Sequence, residues 1–223
     1  MKTDQKQQEI NRILQQVEEH KKAILYSFFD SFQNLNVSSL ELETFEEERT
    51  RAIVTFGEEK KVIYEKGPLE IEQSFRKYIS WFNHNILKDK KMYCNNMISY
   101  TDCGFIEKPE EKWASGEEQK KNYYYRLGSM IALLSALNVE LVEADDVMKV
   151  DEQPVLRDIR RLVKAHPIYS RNEAAGRKMF GELEEHCPVR YRSHMKEGYE
   201  DVFSFMCENE KDMKEIVKMC FSE

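Results

Sequence analysis

The sequence predicts an α+β protein, mainly helical, in which a small β unit follows an opening helix and precedes a larger helical part. Two patterns carry that expectation. Apolar residues recur at three- and four-residue spacings over most of the chain, and the period shortens to two only around residues 51–65. Size agrees: 223 residues, 41% hydrophobic and 11% aromatic, can build a core in one large domain or two smaller ones.

Residues 7–32 carry Ile10, Ile13, Leu14, Val17, Ile24, Leu25, Phe28, Phe29 and Phe32 at helical intervals, giving an amphipathic helix with a bend expected near His20. Arg51-Ala52-Ile53-Val54-Thr55-Phe56 and Lys61-Val62-Ile63-Tyr64-Glu65 are β-rich runs on either side of Gly57-Glu58-Glu59-Lys60, which predicts a hairpin. After Gly67-Pro68, residues 69–87 return to helical spacing through Ile71, Phe75, Tyr78, Ile79, Phe82 and Ile86, with Trp81 near the same buried face. Residues 96–107 read as a strand or connector. Residues 108–116, with Pro109 and Gly116, read as an exposed linker.

Ser115-Gly116-Glu117-Glu118 opens the most apolar helix, 117–137, with a serine at its start and carboxylates suited to the positive end of its dipole. A hairpin follows over 147–155. Two further helices, 172–185 and 194–221, are separated by Cys187-Pro188, the second with a break near Asn209. The expected domains are therefore 1–108, a helix plus a small β/α lobe; 109–116, a linker; and 117–223, a helical lobe. Internal repeats and low-complexity tracts are absent from the sequence.

A formal charge of −7 argues against nucleic acid as a partner, which needs a positive field. The basic clusters Lys88-Asp89-Lys90-Lys91 and 157–164 are interrupted by acids and read as solvated helix faces. No apolar run approaches the ~20 residues of a membrane span, and the start MKTDQKQQEINR lacks an apolar signal core, so a cytoplasmic protein is expected. Cys94, Cys103, Cys187, Cys207 and Cys220 form no C-x-x-C pair, and the histidines show no H-x-x-x-H spacing. They read as reduced thiols without a zinc site.

Three segments resemble the N-terminal, kinase-like dehydratase domain of class II lanthipeptide synthetases, the LanM-type lantibiotic biosynthesis proteins. Ile53-Val54-Thr55-Phe56 through Val62-Ile63-Tyr64, then Phe75 and Trp81-Phe82-Asn83, is similar to the family's "LTF-sG-klVYKPR … F … WlN". Tyr124-Tyr125-Arg126-Leu127-Gly128 through Leu137-Asn138 is similar to "YYRLG-llallylLn", and Gly198-Tyr199-Glu200-Asp201-Val202-Phe203 to "GF-x-x-x-Y". The likeness covers residues 45–165, and Tyr125, Arg126 and Gly128 stand in it as structural positions. It implies a two-lobed, lipid-kinase-like fold with a small β-containing first lobe and a helical second lobe, incomplete at its C-terminus. It also implies an ancestral chemistry in which ATP and Mg²⁺ phosphorylate Ser and Thr of a precursor peptide before phosphate is eliminated.

Matched residue by residue, the reacting groups of that chemistry are replaced. The phosphate-directed lysine of "VYKPR" falls on Glu65, with Lys66 one place later, where a strand would turn it to the other face. The "GD-x-H" segment falls on Leu42-Glu43-Thr44-Phe45. The "D-x-H-x-E-N" loop falls on Leu141-Val142-Glu143-Ala144-Asp145-Asp146, and a leucine can neither accept nor orient a hydroxyl proton. In "PVLiDlEtL" the first acid remains as Asp158 and the second becomes Arg160. The expected set is thus no catalytic residue and no assured metal ligand. A residual nucleotide or metal site could draw on Lys66, Asp146, Asp158 and Arg160, with ATP and Mg²⁺ the cofactors it would take.

Three functions follow as expectations. The first is a catalytically inactive pseudoenzyme that binds a protein or precursor-peptide partner, or regulates it, in a lanthipeptide pathway. The second is a subunit of a split, ATP-dependent Ser/Thr peptide dehydratase. The third is an immunity or regulatory interaction protein.

Overall fold

A computed structural model describes residues 2–31, 35–46 and 49–222, apart from the side chains of Lys2, Thr3 and Phe45. Contacts divide the chain into two compact units. One comprises Met1–Leu69 with Asn95–Pro109, and the other Glu70–Cys94 with Glu110–Glu223.

The first unit holds α1 (Lys2–Phe29), β1 (Val37–Phe45), β2 (Thr50–Phe56), β3 (Lys60–Lys66), β4 (Met97–Ser99) and β5 (Cys103–Glu107). The strands form one sheet in the order β1-β2-β3-β5-β4, every neighbouring pair antiparallel. Alternation along the strands sends Ala52, Val54, Phe56, Val62, Tyr64, Cys103 and Phe105 to one face, where Ile13, Val17, Ile24 and Leu25 of α1 cover them. The opposite face carries Ile63 and Ile106 packed with Leu69. α1 runs without interruption through His20, whose ring stacks on Tyr100 at 3.7 Å. Leu14 of the predicted stripe is exposed, and Phe32 lies outside the described residues.

The second unit holds α2 (Glu70–Asn85), β6 (Lys112–Trp113), α3 (Glu117–Ala136), β7 (Val147–Asp151), β8 (Gln153–Leu156), α4 (Ile159–Leu162), α5 (Glu173–Glu185), α6 (Arg192–Glu208) and α7 (Glu210–Phe221). Its core gathers around α3, whose second half is buried on all sides, with Tyr78 and Phe82 from α2, Met195, Val202 and Met206 from α6, and Met213 and Val217 from α7. The predicted break at Asn209 separates α6 from α7.

Five features differ from expectation. β1 was not anticipated, and residues 96–107 supply two strands where one strand or a connector was expected. The expected linker 109–116 contains β6, which pairs in parallel with β7 in a small second sheet, β6-β7-β8. α2 belongs with the helical unit and not with a lobe spanning 1–108, because its buried face is aromatic and packs into that core. The residue capping α3 is Gly116, whose N–H donates to Gln119 Oε1 at 3.1 Å, while Ser115 is exposed and makes no cap.

Candidate functional site

In the first unit, Arg51 of β2 lies directly opposite Glu65 of β3 in the strand register. Glu65 is wholly buried, and its Oε1 accepts from Arg51 Nη1 at 2.5 Å and from Arg49 Nη2 at 2.9 Å. Arg51 Nε donates in turn to Glu43 Oε2 at 2.8 Å. A buried carboxylate is tolerated only when cations and hydrogen bonds replace its lost hydration, and two guanidiniums supply them here. Glu65 Oε2 has no hydrogen-bond partner among the described residues. Lys66 ends β3, half-buried and paired through the register with Cys103 of β5, on the strand face opposite Glu65. The side chain of Phe45 lies outside the described residues.

In the second unit, residues 144–146 form a single 3₁₀ turn leading into β7. Asp146 closes it, its Oδ2 accepting from the Glu143 N–H at 3.0 Å and its own N–H donating to the Glu143 carbonyl. Oδ1 of Asp146 is ion-paired with Arg161 Nη2. Asp158 sits at the N-terminus of α4 and accepts from the Arg161 N–H at 3.3 Å. Asp146 and Asp158 are therefore both drawn to Arg161, one to its guanidinium and the other to its backbone. Arg160 turns elsewhere, because successive residues on a helix diverge by about 100°. Its Nε donates at 2.6 Å to Oε1 of Glu72, which is buried on α2.

Of the predicted residues, Asp146 and Asp158 thus both contact Arg161, at its two ends, while Arg160 pairs with a different acid. Arg161 and Glu72 were missed. A signal for Glu72 exists in the sequence: it shares the helical spacing of Phe75, Ile79 and Phe82, an acid placed on a buried stripe.

The residues carrying the likeness in α3 do structural work. Arg126 is buried and donates through Nε to the Lys91 carbonyl at 2.8 Å and through Nη1 to the Glu152 carbonyl at 3.1 Å, tying α3 to the 91 loop and to the β7–β8 turn. Tyr125 donates its hydroxyl to Asp201 of α6 at 2.7 Å. Gly128 lies against α6 so closely that a Cβ there would stand 1.9 Å from the Met195 carbonyl oxygen. Gly198 returns the contact, since its Cβ would meet the Tyr125 carbonyl oxygen at 1.9 Å. Two of the three resembling segments are therefore the two sides of one helix crossing.

Among the described residues, no group of three or more His, Cys, Asp or Glu side chains is arranged to hold a metal ion, and no helix is long and apolar enough to cross a membrane.

A family model described as "Domain of unknown function (DUF4135)" matches residues 1–180. The Lacticin 481/lactococcin biosynthesis protein LcnDR2 of Lactococcus lactis subsp. lactis is 23% identical over 132 residues, covering 53% of this chain and 14% of that protein. The matched part is thus a small fraction of that relative's length. Among solved structures, a "putative fructosamine-3-kinase" from Thermobifida fusca YX-ER1 aligns over 88% of each chain with a TM-score of 0.41 and 9% identity, a likeness too low to bear on the fold.

Proposed function

Because the chain belongs to the DUF4135 family and is a LanM-like lanthipeptide synthetase domain, we propose that it is a dehydratase-like protein without catalytic activity that binds a partner in a lanthipeptide pathway. The partner is a precursor peptide or another protein of that pathway. The two compact units are read as the lobes of a degenerate lipid-kinase-like fold.

One observation carries the reading: charged groups at the positions of the ancestral chemistry already have partners within the chain. Glu65 is neutralised by Arg49 and Arg51, Asp146 by Arg161, and Glu72 by Arg160. A nucleotide with a divalent cation would need a cation where Glu65 is buried and free carboxylate oxygens where Asp146 already holds a guanidinium and a backbone N–H. These residues do not fit ATP and Mg²⁺. The Leu141 side chain, at the position of the base, cannot take a hydroxyl proton.

The test is to incubate the purified chain with ATP, Mg²⁺ and a panel of lanthipeptide precursors, and to capture partners on the immobilised chain. The expected result is a captured precursor or pathway protein and no phosphopeptide by mass spectrometry. Phosphopeptide that disappears in Asp158→Ala would overturn the proposal.

A further inference from the structure

β1 is the longest strand of the first unit and stands at the end of its sheet, with nine residues against three in β4 at the other end. One side of its backbone bonds to β2, and the other side meets no described strand. We infer that this free edge takes up an extended basic segment of a partner protein, paired as a further strand and alternating lysine or arginine with apolar residues. The inference rests on the partner-binding reading above and deepens it by naming the surface and the chemistry of what docks there.

The backbone supplies the first support. A strand edge presents every second N–H and C=O to solvent, a template on which another chain can pair. Among the described residues, no hydrogen bond reaches residues 38–44 from outside the sheet. Ser38, Ser39, Glu41 and Glu43 are exposed, so the edge is open. Register shifts fall between Val37 and Ser39 and between Leu42 and Thr44, where they disturb the two ends of the strand. Between them Ser39, Leu40, Glu41 and Leu42 pair regularly with Thr55, Val54, Ile53 and Ala52, and an added strand would lie along this stretch.

The side chains set the alternation. Leu40 and Leu42 turn to the face that α1 covers and are half-buried there, while Glu41 lies opposite Ile53 on the other face. An added strand keeps the same period, so its residues fall in turn beside the leucines and beside the acids.

Charge selects the occupant. Residues 37–46 hold Glu41, Glu43 and Glu46 and no lysine or arginine. Glu43 is paired with Arg51 at 2.8 Å, but Glu41 and Glu46 are exposed and have no ion-pair partner among the described residues. The same composition disfavours a second copy of the chain, because β1 against β1 brings acids beside acids in any register and never a cation. A basic strand is attracted where the chain's own strand is repelled.

The experiment titrates the full chain into fluorescein-labelled Lys-Val-Lys-Val-Lys-Val-Lys-amide, followed by anisotropy. The controls are the same peptide with every backbone nitrogen methylated, which keeps the charge and loses the donors, and the peptide with Glu in place of each Lys. Only the first should bind saturably, more weakly as salt is raised, and it should slow amide exchange at residues 39–42. Glu41→Lys, an exposed change, should weaken it about fivefold with an unchanged melting temperature, and Glu41→Gln should weaken it less. No saturable binding, equal binding of the methylated peptide, protection that falls elsewhere, or full affinity in Glu41→Lys would each overturn the inference. So would a dimer of the wild type protected at 39–42, which would assign the edge to a second copy. A pathway partner captured equally by wild type and Glu41→Lys would overturn it and leave the partner-binding proposal intact. Phosphopeptide formed by the wild type alongside a saturable strand titration would do the reverse.

Discussion

Arg160 and Arg161 are neighbours in sequence but stabilise by very different amounts. Glu72 is buried and Arg160 is mostly so, whereas the Arg161 side chain is 56% exposed and its buried partner Asp146 keeps the Glu143 N–H as a second partner. Breaking a buried pair leaves an uncompensated charge, while an exposed guanidinium is screened by water. Arg160→Ala should therefore cost about 3–5 kcal/mol in urea unfolding and Arg161→Ala about 1 kcal/mol or less. Similar losses in the two variants would refute the ranking. Glu65→Lys restores the residue type of the resembling family but sets a third cation against Arg49 and Arg51. It should lower the unfolding midpoint strongly without creating nucleotide affinity, as calorimetry would check. Glu152 offers a pH test. Burial raises its carboxyl, but the Asn122 hydrogen bond and the Arg126 guanidinium outweigh burial, and the net shift is downward. A depressed carboxyl adds stability that is complete above its unfolded pKa and is lost as pH falls through the folded value. Stability should thus decline below about pH 4.3, and Glu152→Gln should flatten that decline. At this scale the sequence was only partly legible: the residue types at the resembling positions could be read from it, but the partners they take in the fold could not. Glu72 and Arg160 stand 88 residues apart, and local periodicity carries no information about such a pair.

Helices and the central hairpin were legible because long amphipathic patterns are imposed by burial of one face, and α1, α2, α5, α6 and α7 obey them, while α3 was legible from its continuous apolar second half. β1 was not recognised, although Leu40 and Leu42 alternate with Ser39, Glu41 and Glu43. It is an edge strand, half-exposed, so its apolar signal is weak. β6 is two residues long and owes its existence to β7, which lies far along the chain. The crossing of α3 and α6 gives the sharpest element-level prediction. Gly128→Ala would drive a methyl group into the backbone of α6 and should destabilise by about 3 kcal/mol or more. Gly181→Ala on α5 has open space around it and should instead stabilise by about 0.5–1 kcal/mol through helix propensity. Chemical denaturation of both variants checks the pair, and equal effects would mean that the two helices do not approach as described.

Taken as one molecule, the chain pairs Glu65, Asp146 and Glu72 internally with arginines. Mg-ATP should accordingly leave the melting temperature unchanged in a thermal-shift assay, because a ligand that does not bind the folded state cannot stabilise it. A saturable rise would contradict the reading. Domain boundaries were the least legible feature, since composition marks exposed stretches and says nothing about which core a buried helix joins. The polypeptide passes from one unit to the other after Leu69, after Cys94 and after Pro109. Synthesis therefore proceeds out of step with assembly. When the aromatic stripe of α2 leaves the ribosome, α3, α6 and α7, which will bury it, have not yet been translated. The sheet meanwhile lacks β5, the strand that must bond to β3. The nascent chain thus passes through an interval with both units unfinished and a greasy helix uncovered, a period in which chaperone dependence and inclusion-body formation should be greatest.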